Sequence, residues 1–193
     1  MTEYSKLRRI MVWTARIGRC RGFGVQSPWA YRMVRYVINE HWPYYAYARL
    51  AARYPRLGVV ERRVCELCLR LANRLQPGRV LTYGVDGTAL PDYIRAGCRR
   101  AVVDGGGDGT ADKADFAVIA PCEGFRRVFE SFCAAACDDS AAMLLDIRRD
   151  KTMRRLWRKV LEERPGVVTF DLYYCGLVFF DKKRYKQNYI INF

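Results

Sequence analysis

Histidine is nearly absent from this chain: His41 is the single one among 193 residues. A general base or a metal site built on imidazole would rest on that residue alone, and its place beside Trp42 and Pro43 equally suits packing at a helix end. Acidic residues are scarce in the first part of the chain. Residues 1–79 hold 16 Lys and Arg against 4 Asp and Glu, a net +12, whereas residues 80–193 hold 18 against 16, a net +2. Most of the formal charge of +14 is therefore concentrated early. Such a field suits an acidic partner such as nucleic acid or a membrane surface, with a solvated basic face as the plain alternative. No apolar run approaches the roughly 20 residues needed to cross a bilayer, because arginines interrupt each candidate, including residues 10–17. The basic residues 6–9 are not followed by an apolar stretch and a small-residue cleavage site, so the expectation is a cytoplasmic protein.

Hydrophobic residues make up 51% of the chain, enough for a buried core. Seven of the eight cysteines (65, 68, 98, 122, 133, 137 and 175) stand in apolar or helical contexts and are expected to act as small hydrophobes; Cys20 lies in a polar loop. Cys65 and Cys68 form a CELC step within a helical pattern, without a second pair at zinc-ligand spacing, and read as one buried helical face. Cys133 and Cys137 repeat that pattern at i and i+4.

Residues 4–17 place Leu7, Ile10, Met11, Trp13, Thr14 and Ile17 at helical spacing between basic residues, which predicts an amphipathic helix. Glycines 18, 22 and 24 end it. A second helix starts with Ser27 as N-cap and Pro28 in the first turn; a third covers about residues 45–54 and a fourth about 60–75. Beyond residue 79 the texture changes. RVLTYG, RRAVVD, DFAVIA, AAMLLDI, GVVTFDL and GLVFFD are short β-favouring runs, most of them separated by helical patterns, as in a parallel sheet covered on both faces. Only Tyr173, Tyr174 and Cys175 separate the last two runs, which makes them an antiparallel hairpin expected to end the sheet. The expected organisation is a helical extension over residues 1–79, packing on a Rossmann-like α/β domain over residues 80–193.

A doubly wound sheet closed by an antiparallel hairpin resembles the class I S-adenosylmethionine-dependent methyltransferases. Three stretches narrow the likeness to a small bacterial branch. RGFGVQSPWAYRMVRYVINEHWPYYAY resembles its N-terminal segment, with Gln26 and Trp29 in place of the His and Phe of a His-Ser-Pro-Phe motif. LANRLQPGRVLTYGVDGTA is similar to its helix, Gln-Pro turn, first strand and glycine loop. MLLDIRRDKTMRRLWRKVLEERPGVVTFDLYYCGLVFF resembles its fifth strand, following helix and hairpin.

The resemblance implies a cofactor crevice beyond the carboxyl ends of the strands, where glycines let a ligand approach the backbone. The corresponding positions are Thr82, Gly84, Asp86, Gly87 and Asp104. Thr82 stands where the family carries an acid for the cofactor's ammonium, and a hydroxyl supplies no countercharge. Asp86 could substitute, although Asp86-Gly87 is also an ordinary turn dipeptide. Asp104, ending the next strand, matches the acid that binds ribose hydroxyls, or else opens a glycine-rich turn. Only GGGDGTADKA separates that strand from DFAVIAP, too little for a crossover helix and another strand, so the family's third strand should be missing.

Some methyltransferases bind a divalent metal through carboxylates at strand ends. Here Ala120, Pro121 and Cys122 follow one strand and Asp146 the next, with Arg148 and Arg149 replacing an aromatic pair, so no metal is expected. Trp157 reads as core, and Tyr173 and Tyr174 as packing or as pocket lining. No catalytic residue is assignable. The expected protein is methyltransferase-like, with a degraded site for S-adenosylmethionine, weakly active or inactive on an unidentified substrate. The alternative is a non-catalytic binding protein whose basic helical residues 1–79 take an acidic partner, nucleic acid or protein.

Overall fold

The computed structural model describes residues 4–20, 22–105, 113–163, 166–181, 183 and 185–193. Helix α1 (Lys6–Ala15) is capped by Ser5, whose side chain accepts from the Arg8 N–H, and α2 (Pro28–Met33) is capped in the same way by Ser27. The α2 helix widens into a π-helical turn, Val34–Ile38, before α3 (Tyr45–Arg53) and α4 (Val59–Leu75). That widening leaves carbonyls without helical partners. Arg70 of α4, itself 5% exposed, takes them up: its Nε donates to the Val37 carbonyl at 2.6 Å and its Nη2 to the Ile38 carbonyl at 3.1 Å. A buried arginine thus joins the second and fourth helices.

Strands β1 (Arg79–Tyr83), β2 (Val102–Gly105), β3 (Phe116–Ile119), β4 (Ala141–Leu145), β5 (Val168–Asp171), β6 (Cys175–Phe179) and β7 (Gln187–Ile190) form one sheet in the order β2-β1-β3-β4-β6-β5-β7. The first four run parallel, and β6 enters antiparallel between β4 and β5. Helices α5 (Leu90–Gly97), α6 (Phe125–Ala135) and α7 (Lys151–Glu163) connect them. One face of the sheet packs residues of β1, β3 and β4 against α2, α4 and α5. The other packs Leu81, Ala117, Ile119 and Leu144 against Phe129 and Phe132 of α6 and Trp157 of α7. The result is a doubly wound, Rossmann-like α/β fold. Among the described residues no helix is long and apolar enough to cross a membrane.

Two expectations need correction. The hairpin does not end the sheet, because β7 adds parallel to β5 beyond it, with Tyr189 stacked 5.3 Å from Phe170. Helix α1 also does not bury its apolar stripe. Leu7, Ile10, Met11, Trp13 and Ile17 are all at least half exposed, while Arg9, Val12 and Arg16 form the inward side. The cause lies in the sheet: Asp171, 2% exposed at the end of β5, pairs with Arg16 at 2.8 Å and with Arg148. A buried carboxylate left unpaired is more costly than exposed methyl groups, so the arginine side turns inward.

Candidate functional site

The position expected for a cofactor lies beyond the carboxyl ends of β1 and β3, from which the chain leaves toward opposite edges of the sheet, to β2 and to β4. Strand β2 flanks β1 at the sheet edge, and among the described residues no strand lies beyond it, as the short connection required. Residues 106–112 of that connection lie outside the described set.

Thr82 is 2% exposed, and its hydroxyl donates to the Asp104 carbonyl at 3.0 Å. Its polar group is therefore spent on joining β1 to β2. Asp104 pairs in register with Leu81, one residue before β2 ends, and its carboxylate lies 3.7 Å from Nε of Arg79, the first residue of β1. Gly84 has φ +70°, and a Cβ there would meet Cys122 Sγ at 2.6 Å and the Ala120 carbonyl at 3.3 Å. Only glycine fits under that loop. Gly87, φ +72°, has open space beside it and serves the turn.

Asp86 reaches over the end of β2, its Oδ1 standing 3.2 Å from where a Gly105 Cβ would lie. Burial, and then the charge of Asp86, push the Cys122 thiol above its ordinary range. Gly84, Asp86, Gly105 and Cys122 are thus brought together. Cys122 was read from sequence as an apolar-context residue, but it and Cys137 are exposed; Cys137 falls after α6 has ended, and Cys133 is half-buried. Cys65, Cys68, Cys98 and Cys175 are buried as expected, and burial pushes the Cys65 thiol up to about 12. A thiolate is disfavoured there.

The next strand end is already engaged. Asp146 follows β4 with φ 55° and accepts a hydrogen bond from the Tyr4 hydroxyl at 3.3 Å. Burial holds its carboxyl above the usual aspartate range. The Arg149 guanidinium lies 5.4 Å from the Tyr4 ring centre, and Arg8 Nε donates to the Tyr173 hydroxyl at 3.2 Å. Residues of α1 and its N-terminal flank therefore cover this end of the sheet. Tyr4, Tyr173 and Tyr174 form an edge-to-face cluster, and Trp157 is core at 1% exposure. His41 is exposed.

Sequence reasoning missed a concavity elsewhere in the fold. A cleft of about 770 Å³ lies between α3 and α5, lined by Tyr44, Tyr45, Arg49, Arg53, Arg95 and Arg99 with Leu50, Leu69 and Asp92. Asp92 accepts from the Tyr54 hydroxyl at 2.7 Å and pairs with Arg53 at 3.0 Å and Arg95 at 3.6 Å. The available signal was the i, i+4 spacing of Arg49 and Arg53 on α3.

No family model and no curated protein matches the chain. Among solved structures, cofactor-bound Rv0187 from MTB is similar at 13% identity and a TM-score of 0.49, over 71% of this chain and 88% of that one. The SAH-bound methyltransferase PaMTH1 of Podospora anserina is 11% identical with a TM-score of 0.49, over 80% and 96%. An O-methyltransferase from Bacillus cereus in complex with SAH is 13% identical with a TM-score of 0.47, over 75% and 94%.

Proposed function

We propose that this chain is a methyltransferase-like Rossmann protein whose crevice no longer holds S-adenosylmethionine productively, leaving it weakly active or inactive. One observation carries the reading: the position of the ammonium-binding acid is Thr82, buried and with its hydroxyl committed to the Asp104 carbonyl. The remaining groups support it. The Asp104 carboxylate is turned to Arg79, Gly84 lies under Cys122, and the adenine side of β2 is the sheet edge. Binding pockets bury most of a ligand's surface, and these residues do not fit the group on that account. No methyl-transfer step is derived from them.

Isothermal titration with S-adenosylmethionine and S-adenosylhomocysteine tests this. The expected result is no saturable heat at micromolar ligand. Micromolar binding abolished by Asp104→Ala would overturn the reading.

A second reading has its own support. The net +12 of residues 1–79 and the arginine-lined cleft favour a non-catalytic binding protein for an acidic partner.

A further inference from the structure

We infer that the cleft between α3 and α5 binds single-stranded nucleic acid, with its arginines on phosphates and Tyr45 against a base. This assignment rests on the acidic-partner reading and gives it a place and a ligand.

Helix α3 presents a stripe to the cleft: Tyr45, Arg49 and Arg53 recur at i, i+4 and i+8, and across from them stand Arg95 of α5 and Arg99 of the turn that follows it. Successive members of the α3 stripe are about 6 Å apart along the axis. Like charges at that spacing weaken an isolated helix, so Arg49 and Arg53, with two further arginines lining the same cleft, accumulate repulsion that an anion relieves. The protein supplies only one lining carboxylate: Asp92 serves Arg53 and Arg95, while Arg49 and Arg99 make no ion pair among the described residues. Both are exposed. Two guanidinia are thus free for bidentate bonds to phosphate oxygens.

The aromatic residues select among polyanions. Tyr44 and Tyr45 line the same cleft, and the Tyr45 ring is fully exposed. A solvent-facing ring beside arginines matches the way single strands are held, with phosphates along a basic groove and bases stacked on aromatic faces. A duplex is too wide for a cleft of about 770 Å³, an anionic membrane is too flat to enter it, and an acidic peptide has no bases to stack.

Fluorescence anisotropy on the full chain, with labelled oligothymidylate and oligouridylate of about 15 nucleotides, tests the inference. With Arg49 and Arg99 on phosphates, affinity should fall about sevenfold between about 50 and 200 mM salt. The double variant Arg49→Gln/Arg99→Gln should weaken binding at least about tenfold at the lower salt and reduce the salt slope by about 1.4. Tyr45→Ala should weaken it about fivefold or more and leave the slope unchanged. Arg155→Gln/Arg158→Gln removes the same charge from exposed positions on α7, across the sheet, and should change affinity by less than about twofold. Circular dichroism and melting confirm that each variant is folded.

Equal losses from both double variants would show a response to net charge and overturn the cleft. Oligonucleotide binding untouched by the Arg49, Arg99 and Tyr45 substitutions would overturn the cleft and leave the acidic-partner reading standing. Absence of oligonucleotide binding at the lower salt overturns the assignment; if phosphatidylserine vesicles then bind and lose binding on Arg49→Gln/Arg99→Gln, the cleft takes an anionic surface instead.

Discussion

Asp171 holds the C-cap of α1 to the sheet through Arg16, and the same carboxylate takes Arg148, the Trp157 indole N–H and the Tyr173 backbone N–H. Burial alone would raise its carboxyl, but Arg16, and after it Arg148 and the Tyr173 N–H, hold it below the ordinary aspartate range. A lowered folded-state pKa contributes stability that is present above the unfolded value of about 3.9 and is lost as pH falls through the folded value. Asp171→Ala leaves two guanidinia facing a void, and urea unfolding at neutral pH should show a loss on the order of 3 kcal/mol. The acid-side fall in stability should flatten in the same variant. Asp146 works in the opposite sense. Its raised carboxyl means that carrying the charge costs the folded state more than the unfolded one, so Asp146→Asn, which keeps an acceptor for Tyr4 and tolerates φ 55°, should raise the melting temperature at pH 7. A lower melting temperature would show that the charge is needed there.

At the scale of the elements, α4 and α5 meet at Gly97, where a Cβ would fall on the Leu69 carbonyl and within 3.0 Å of the Ala72 methyl. Gly97→Ala has to push the helices apart and should destabilise by about 1–3 kcal/mol in denaturant unfolding. No sequence pattern announced this contact, since a glycine near a helix end reads first as a stop signal. Local signals were legible. Ser27 and Pro28 start α2 as their chemistry requires, and six strands fall on the β-favouring runs. The seventh strand was hidden because Gln187–Ile190 is polar and mostly exposed, and only its pairing with β5 makes it a strand. The orientation of α1 was hidden for a related reason. Periodicity identifies an apolar stripe, but the carboxylate that turns it outward lies 155 positions away in sequence.

At the scale of the whole molecule, the strand ends around Thr82, Gly84 and Asp104 were legible and the cleft was not. Thr82, Gly84 and Asp104 occupy the expected strand ends because β1 and β2 follow their hydrophobic runs. Cys122 over Gly84 and the facing of α3 to α5 depend on how distant segments pack, which single-sequence patterns do not encode. The charge does show globally. With a formal +14 and unpaired arginines facing each other, added salt should screen self-repulsion, and the melting temperature should rise by about 2–4 °C between low and about 0.5 M sodium chloride. A flat or falling curve would mean that the surface ion pairs outweigh the repulsion.

The anchoring of α1 also has a consequence for the order of assembly during synthesis. Arg16 donates to the Ile191 carbonyl across 175 positions, and Asn192 donates to the Trp13 carbonyl across 179. Residues 13–16 are thus secured by residues made 175 to 179 positions later. As the chain emerges from a ribosome at about 5–20 residues per second, α1 has no partner for its arginines until β5 and the segment after β7 have followed, some ten seconds or more later. Throughout that interval α1 lacks the contacts that fix its orientation on the sheet.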